Sequence, residues 1–260
     1  GIALFMILMK ELVDTEHSVG LWFTGDEEIG GFNGTKHVFE SGYSCDVALL
    51  PDGGDRVGRI IRKEKGLTKI IFTAKGKSAH SSRLWQGNNA IDLMYSTIGE
   101  IRKLFIPLDQ HPEDHWVSTM NLGKIEGGTD YNKVPVHASA EIDIRFTEDM
   151  DMDETVEKIR QLLPEGVEME ERRMGLGSVL PEENELVKTY LEIVKEVGRT
   201  PEFFDTHGFS DARHFGEHGI PAIMSQPDGE DLHGPNEWVD VASIEDYDLL
   251  VRKYIDRVSK

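Results

Sequence analysis

The chain has 260 residues, of which 38% are apolar and 29% are charged, and its formal net charge is −20. This length is enough for one large domain or two modest ones. Because an acidic surface repels phosphate backbones, the charge argues against nucleic acid as a partner and is explained more simply by solubility. No apolar run approaches the roughly 20 residues that span a membrane. The single cysteine, Cys45, cannot form an internal disulfide, which is typical of a reducing cytoplasm.

The first 50 residues alternate between helical and strand patterns. Residues 1–13 predict a helix, 18–24 a buried strand, and 46–50 a second strand, with a short helix after Gly34 between the two strands. The apolar opening lacks the basic start and the small-residue cleavage site of a signal peptide. This rhythm is typical of a parallel sheet covered by helices.

The middle of the chain changes to a different architecture. Alternating or helical apolar spacing predicts, in order, a strand at 67–76, a helix at 88–105, strands at 117–125 and 137–146, a helix at 151–163 and a strand at 166–172. The order β-α-β-β-α-β is that of a ferredoxin-like α+β sandwich.

The first rhythm then resumes, with a helix at 183–197, a strand at 201–205, a helix at 210–217, a strand at 221–225 and a helix at 243–258. The sequence therefore predicts an α/β domain with a parallel-type sheet, built from residues 1–62 and 175–260. The ferredoxin-like domain, residues 63–174, is inserted into it.

Acidic residues follow the two early strands. Glu27 and Glu28 come directly after the first strand, and Asp52 follows the second. Ligands of parallel sheets bind beyond the carboxyl ends of the strands, so these side chains are expected at one edge. Adjacent carboxylates point in different directions, so one can bind a metal while the other takes a proton from a water. His233, after the strand at 221–225, is expected at the same edge, although each of these residues alone also fits a turn or surface position.

An ordered set of short motifs carries a family resemblance: TGDEEIGGFNGT, PDGG, GKSAHSS followed by GNNAI, NKVP with EIDIR, GFSDARHF, and LHGPNE. Over nearly the whole chain, this set resembles the dinuclear-zinc metallopeptidase family of aminoacylase and carboxypeptidase type. That family includes succinyl-diaminopimelate desuccinylase, acetylornithine deacetylase and glutamate carboxypeptidase. The inserted ferredoxin-like domain corresponds to the family's lid, which is its dimerisation domain.

The resemblance implies a role for each matching residue near the acidic edge. Glu27 would be the general base that activates a water. Glu28 and His233 would bind the second zinc, and Asp52 the first. Many relatives have Glu in place of Asp52, and either carboxylate can bind zinc. Two zinc ions are implied, with cobalt or manganese as alternative metals.

The resemblance also implies functional residues in the lid. His80 would stabilise the oxyanion, often across a homodimer, and Asn132 and Arg145 would contact the substrate. An Arg fork is well suited to a substrate carboxylate. The implied activity is hydrolysis of an amide bond in a small acylated amino acid or short peptide, in the cytoplasm.

The family pattern further requires a His-x-Asp pair and a bridging Asp, both upstream of a helix like the one predicted at 1–13. The chain is therefore expected to be a segment that begins after them and that holds both metals weakly on its own. Reading the upstream residues would separate this hypothesis from a catalytically dead dimeric scaffold.

Other motifs give competing hypotheses. HGFSDA resembles a nucleophile elbow with Ser210 as a serine-hydrolase nucleophile, followed by Asp228 and His233. The better interpretation has Ser210 capping a helix and Asp211 supporting the zinc ligands. HFGEH (214–218) and HPEDH (111–115) each place two His four residues apart, but Gly216 and Pro112 favour structural or surface roles.

Overall fold

The structure is a computed structural model that describes residues 1–232 and 234–259. The chain forms two compact units. The split unit contains Gly1–Glu64 and the chain from Ser178 onwards, and the inserted unit is Lys65–Gly177. No helix within the described ranges combines the length and apolar character needed to cross a membrane.

The α-helices of the described residues are α1 (Ile2–Leu12), α2 (Thr35–Glu40), α3 (Ala90–Arg102), α4 (Met152–Gln161), α5 (Glu185–Glu196), α6 (Ala212–Glu217) and α7 (Val241–Val258). The strands are β1 (Ala48–Leu50), β2 (Arg59–Glu64), β3 (Gly66–Lys75), β4 (Thr119–Gly127), β5 (His137–Phe146), β6 (Val167–Gly175), β7 (Glu202–Thr206), β8 (Ala222–Met224), β9 (Gly229–Glu230) and β10 (Trp238–Val239).

The split unit is built on parallel strand pairs whose two faces are both covered. β1 pairs in parallel with β8, and β2 pairs in parallel with β7. On β2, Ile60 packs into a core with Tyr190 and Leu250, whereas the next residue, Ile61, packs into a second core with Phe215. Successive strand residues thus serve opposite apolar layers, as expected for a sheet between two layers of helices.

The strand predicted at 18–24 does not form. In the described part of the chain, residues 18–24 belong to no ladder, although the amide of Ser18 donates to the carbonyl of Ser259 at 2.8 Å. Phe23 is 57% exposed. A β-strand is defined by hydrogen bonds to a neighbour, and the described strands supply none here, so the apolar pattern alone predicted the wrong state.

The inserted unit has one four-stranded antiparallel sheet with the strand order β4-β5-β3-β6. Asn89 caps α3 by accepting from the amides of Ile91 and Asp92, and Asp151 caps α4 through the amide of Glu154. Ile70, Phe72, Met94, Ile142 and Ile159 belong to its core. The α/β fold with an inserted ferredoxin-like lid is confirmed.

Candidate active site

A tight turn after residue 25 presents the two adjacent glutamates. Asp26 Oδ2 accepts from the amides of Asn33 (2.8 Å) and Gly34 (3.1 Å), which closes the loop around a 3₁₀ turn at Glu27–Ile29. Helix α2 begins directly afterwards. Glu27 is half-buried and Glu28 is exposed, so the turn gives the two carboxylates different environments.

Side chains at the start of α6 hydrogen-bond to the backbone of this turn. Arg213 Nη2 and His214 Nε2 both donate to the carbonyl of Gly30, the latter at 3.2 Å. Arg213 also donates to the carbonyl of Ser210 at 2.8 Å, and Phe32 lies over its guanidinium at 5.7 Å. The His-x-x-Glu-His sequence thus has a structural use, because its first histidine binds the backbone of the glutamate turn.

Asp211 packs tightly against the same turn. Its Oδ2 accepts from Thr35 Oγ1 at 2.6 Å, whereas its buried Oδ1 has no hydrogen-bond partner among the described residues. Gly31, at φ 61°, lies directly on this carboxylate, and a Cβ added there would overlap Oδ1. Gly31 is therefore required both by its left-handed backbone and by the close approach of Asp211.

Gly31→Ala is expected to lower the free energy of unfolding by about 2–4 kcal/mol, since it adds overpacking to an unfavourable left-handed conformation. Denaturant unfolding measures the change. Gly216→Ala is the matched control, because a Cβ there meets no atom within 4 Å and replaces a helical glycine. The control should be neutral or slightly stabilising, and an equal loss in both variants would contradict the role given to Gly31.

A buried carboxylate at the end of β2 was not predicted from the sequence. Glu64 is 6% exposed and its Oε2 accepts from Ser178 Oγ (2.6 Å) and Ser210 Oγ (2.9 Å). Burial raises the pKa of Glu64, while the two hydroxyls lower it. The Ser210 hydroxyl thus donates to a carboxylate, and Asp228 accepts from the Val57 amide and from Arg199. Neither arrangement is that of a serine-hydrolase triad.

Asp52 follows β1 in a turn that is tied to the end of β8. Gly53 and Gly54 have φ near 90°, and Gln226 accepts from the Gly53 amide (3.2 Å) and donates to the Gly54 carbonyl (2.9 Å). The parallel pairing of β1 with β8 therefore places Asp52 at the carboxyl edge of the sheet.

A cleft of about 990 Å³ in the split unit is lined by Glu27 and Asp52 but not by the exposed Glu28. Glu27, Asp52 and Asp211 line it, along with Thr35, and the rest of its wall is largely apolar. Burial, reinforced by the charges of Asp52, Asp211, Glu28 and Glu64, raises the pKa of Glu27 from 4.5 to about 7. A carboxylate with a pKa near neutrality is suited to accept and return a proton.

The carboxylate oxygens of this cleft suit a divalent cation, although the described residues do not provide a complete set of ligands. Several carboxylates repel one another here, and a cation would reduce that repulsion. The buried Asp211 Oδ1 accepts no hydrogen bond from the described residues, although Arg213 Nη1 lies 3.8 Å away. Within residues 1–232 and 234–259, however, no three His, Cys, Asp or Glu side chains are placed to hold one ion. His233, the predicted imidazole ligand, lies outside the described residues.

Two of the residues assigned to the lid lie together in the inserted unit. The exposed His80 forms an isolated bridge with Lys133, next to Asn132, whose carbonyl accepts from the Ser81 amide at 3.0 Å. The Ser82 amide donates to His80 Nδ1 at 3.2 Å, which leaves the neutral ring with its proton on Nε2. His80 is thus in the tautomer that can donate from Nε2.

Arg145 lies at the other end of the same sheet. Its Nε donates to Asp143 Oδ1 at 2.8 Å. Arg145 pairs with Leu67, whereas His137 pairs with Lys75, just before the segment that carries His80. Eight residues of strand separate the two ends by about 26 Å. Within one inserted unit, Arg145 therefore lies far along β5 from the end that leads to His80.

Comparison with known proteins agrees with this architecture. Residues 62–168 match the M20 peptidase dimerisation domain. The succinyl-diaminopimelate desuccinylase of Rhodospirillum centenum is 26% identical over 275 residues, covering 99% of this chain and 70% of that protein. The chain is similar to M20 peptidases over nearly its whole length. The resemblance drawn from the motifs is thereby confirmed, and the named relatives of this group are hydrolytic enzymes.

Solved M20 structures share the fold. The aminopeptidase PepT of Bacillus cereus superposes with a TM-score of 0.82 at 24% identity, covering 100% of this chain and 70% of that one. A dinuclear metal-binding M20 peptidase of Bacillus subtilis has a TM-score of 0.65 at 17% identity, with coverage of 98% and 68%. At these identities the similarity establishes the M20 fold, within which the carboxylates described above are arranged.

Proposed function

We propose that this protein is a zinc-dependent hydrolase of amide bonds in N-acyl amino acids or short peptides. The observation that carries the proposal is the cleft of the split unit, which Glu27, Asp52 and Asp211 line from three separate segments. The relationship to M20 deacylases and peptidases supports the reaction class.

In this proposal Glu28 and His233 would hold the second of two zinc ions, and Asp52 would hold the first. Bound zinc would polarise the substrate carbonyl and lower the pKa of a water molecule. Glu27 takes the proton of the attacking water and returns it to the leaving amine. Its half-buried position and its pKa of about 7 before metal binding suit both transfers. A neighbouring cation favours the charged carboxylate, so metal would lower this pKa.

The lid residues support a homodimer as the active form. His80 Nε2–H would donate to the developing oxyanion, and Asn132 and Arg145 would contact the substrate. Because about 26 Å of β5 separates Arg145 from the end that leads to His80, we expect one substrate to use these two residues from different chains. The match to a dimerisation domain agrees with that arrangement.

A screen of N-succinyl, N-acetyl and dipeptide substrates with the full-length protein tests the proposal. We expect hydrolysis of at least one class, loss of activity with a chelator and recovery with zinc, because the metal is required for the chemistry. Cobalt and manganese are tested as replacement ions. A serine-directed covalent inhibitor is the control, and it should not change the activity.

Two outcomes would contradict the proposal. Inhibition by the serine reagent, with activity that survives chelation, would move the chemistry to Ser210. A folded, zinc-loaded dimer that hydrolyses no substrate in the screen would favour the catalytically dead scaffold.

A further inference from the structure

The inserted unit contains a histidine pair that the proposed hydrolysis does not use. His111 and His115, in the loop between α3 and β4, have their Nδ1 atoms 3.4 Å apart. Their ring centroids are 5.5 Å apart and the rings are inclined at 64°. At 3.4 Å the contact is a long hydrogen bond between the two rings.

The spacing of the two nitrogens matches the ligand spacing of a tetrahedral metal ion. Zn–N bonds are about 2.0–2.1 Å, and the tetrahedral angle then places two ligand nitrogens about 3.3–3.4 Å apart. We propose that His111 and His115 form a second site for a divalent transition metal such as Zn²⁺, within the inserted unit.

The tautomer of His111 supports this assignment. Its Nε2 lies 3.2 Å from the carbonyl of Ile106, which can only accept, so Nε2 carries the proton and Nδ1 is the acceptor in the contact with His115 Nδ1. A bound ion would replace the proton that His115 Nδ1 donates in this contact. A second ring nitrogen that donates to a carbonyl is the usual support of a metal-binding imidazole. His111 is half-buried, and this contact fixes its ring orientation.

The backbone holds His115 in place before any ion arrives. His115 has φ 53°, a left-handed conformation that is unfavourable for a residue other than glycine. Its amide donates to Pro112 at 3.0 Å and its carbonyl accepts from Val117 at 2.8 Å. Lys65 Nζ also donates to that carbonyl at 3.2 Å, so the nearby ammonium is directed at backbone oxygens.

The segment that carries the pair is itself negatively charged, although Lys65 lies next to it. The segment 109–114 contains Asp109, Glu113 and Asp114 and no Lys or Arg. Asp114 is engaged by the Trp116 amide at 3.1 Å. In the described ranges no third His, Cys, Asp or Glu completes a ligand set, so water would take the remaining positions and the ion would exchange readily.

Zinc binding by the full-length protein, measured by equilibrium dialysis with metal analysis, tests the site. Wild type should bind one more Zn²⁺ per chain than His111→Ala or His115→Asn, with affinity at this site at least about tenfold weaker in either variant. Asn tolerates the left-handed backbone, so His115→Asn preserves the loop. His137→Asn is the matched control, since His137 is exposed in the same unit, and it should retain the extra zinc.

A second readout separates this site from the proposed catalytic metal. In a Glu28→Gln, Asp52→Asn background the His-dependent zinc should persist, and histidine ¹⁵N NMR should show zinc-dependent shifts at Nδ1 of His111 and His115. Equal zinc binding by His115→Asn and His137→Asn, with no shift at either Nδ1, would overturn the site. The proposed amidase activity would be unaffected by that result.

Discussion

Glu27→Gln is expected to lower turnover of an N-acyl amino acid or dipeptide by about 10²–10⁴-fold, because the amide can neither take nor return a proton. KM and the zinc content should stay near wild type, since Glu27 is proposed to move protons rather than to hold metal or substrate. Steady-state kinetics with metal analysis measures both. The acidic limb of kcat/KM, set by Glu27, should lie at or below pH 7, because its metal-free pKa is about 7.

Glu40→Gln makes the same chemical change on the exposed side of α2 and is the matched control. It should leave turnover unchanged. Near-normal turnover by a zinc-loaded Glu27→Gln protein would remove Glu27 from the mechanism. A matching loss of bound zinc would instead identify it as a ligand.

Arg213→Met is expected to lower the free energy of unfolding by about 3–5 kcal/mol, which is the usual effect of removing one partner of a buried charge pair. Arg213 is 2% exposed and its guanidinium lies 3.8 Å from Asp211. Its charge also faces the buried Glu64. Methionine has a similar volume, so the loss reports mainly the uncompensated carboxylates and the freed carbonyls of Gly30 and Ser210. Denaturant unfolding at pH 7 measures it.

Arg252→Met is the control for this change. Arg252 also pairs with carboxylates, Asp248 and Glu11, but its side chain is 37% exposed, and such pairs contribute only about 0–1 kcal/mol. Equal destabilisation by the two variants would show that burial of the Arg213 charge is not what makes it important.

The parts of the fold that could be predicted from sequence are those with strong local patterns. Helices α5 and α7 carry apolar residues at helical spacing, and along β5 buried residues alternate with less buried ones. The bounds predicted for these two helices and this strand are therefore close to the observed ones. The segment at 18–24 has an equally good strand pattern but lies in no ladder, because strand formation depends on a neighbour that local sequence does not reveal.

One residue near the candidate site could not be predicted from the sequence. Glu27, Glu28 and Asp52 are predicted as site residues because they follow apolar segments and match family motifs. Glu64 was missed because the run RKEK resembles a solvated surface, and strand β2 itself was not predicted. Only the packing of Ser178 and Ser210, more than 100 residues away, shows that this carboxylate is buried.

The segment 18–24, which belongs to no ladder of the described residues, affects how the molecules behave in concentrated solution. Backbone groups outside any described ladder, next to exposed apolar side chains such as Phe23, can pair with the same segment of another molecule. The net charge of −20 opposes such encounters at low ionic strength. Added salt screens that repulsion over about 10 Å at 0.1 M, so dilute buffer keeps the chains apart while high salt brings them into contact.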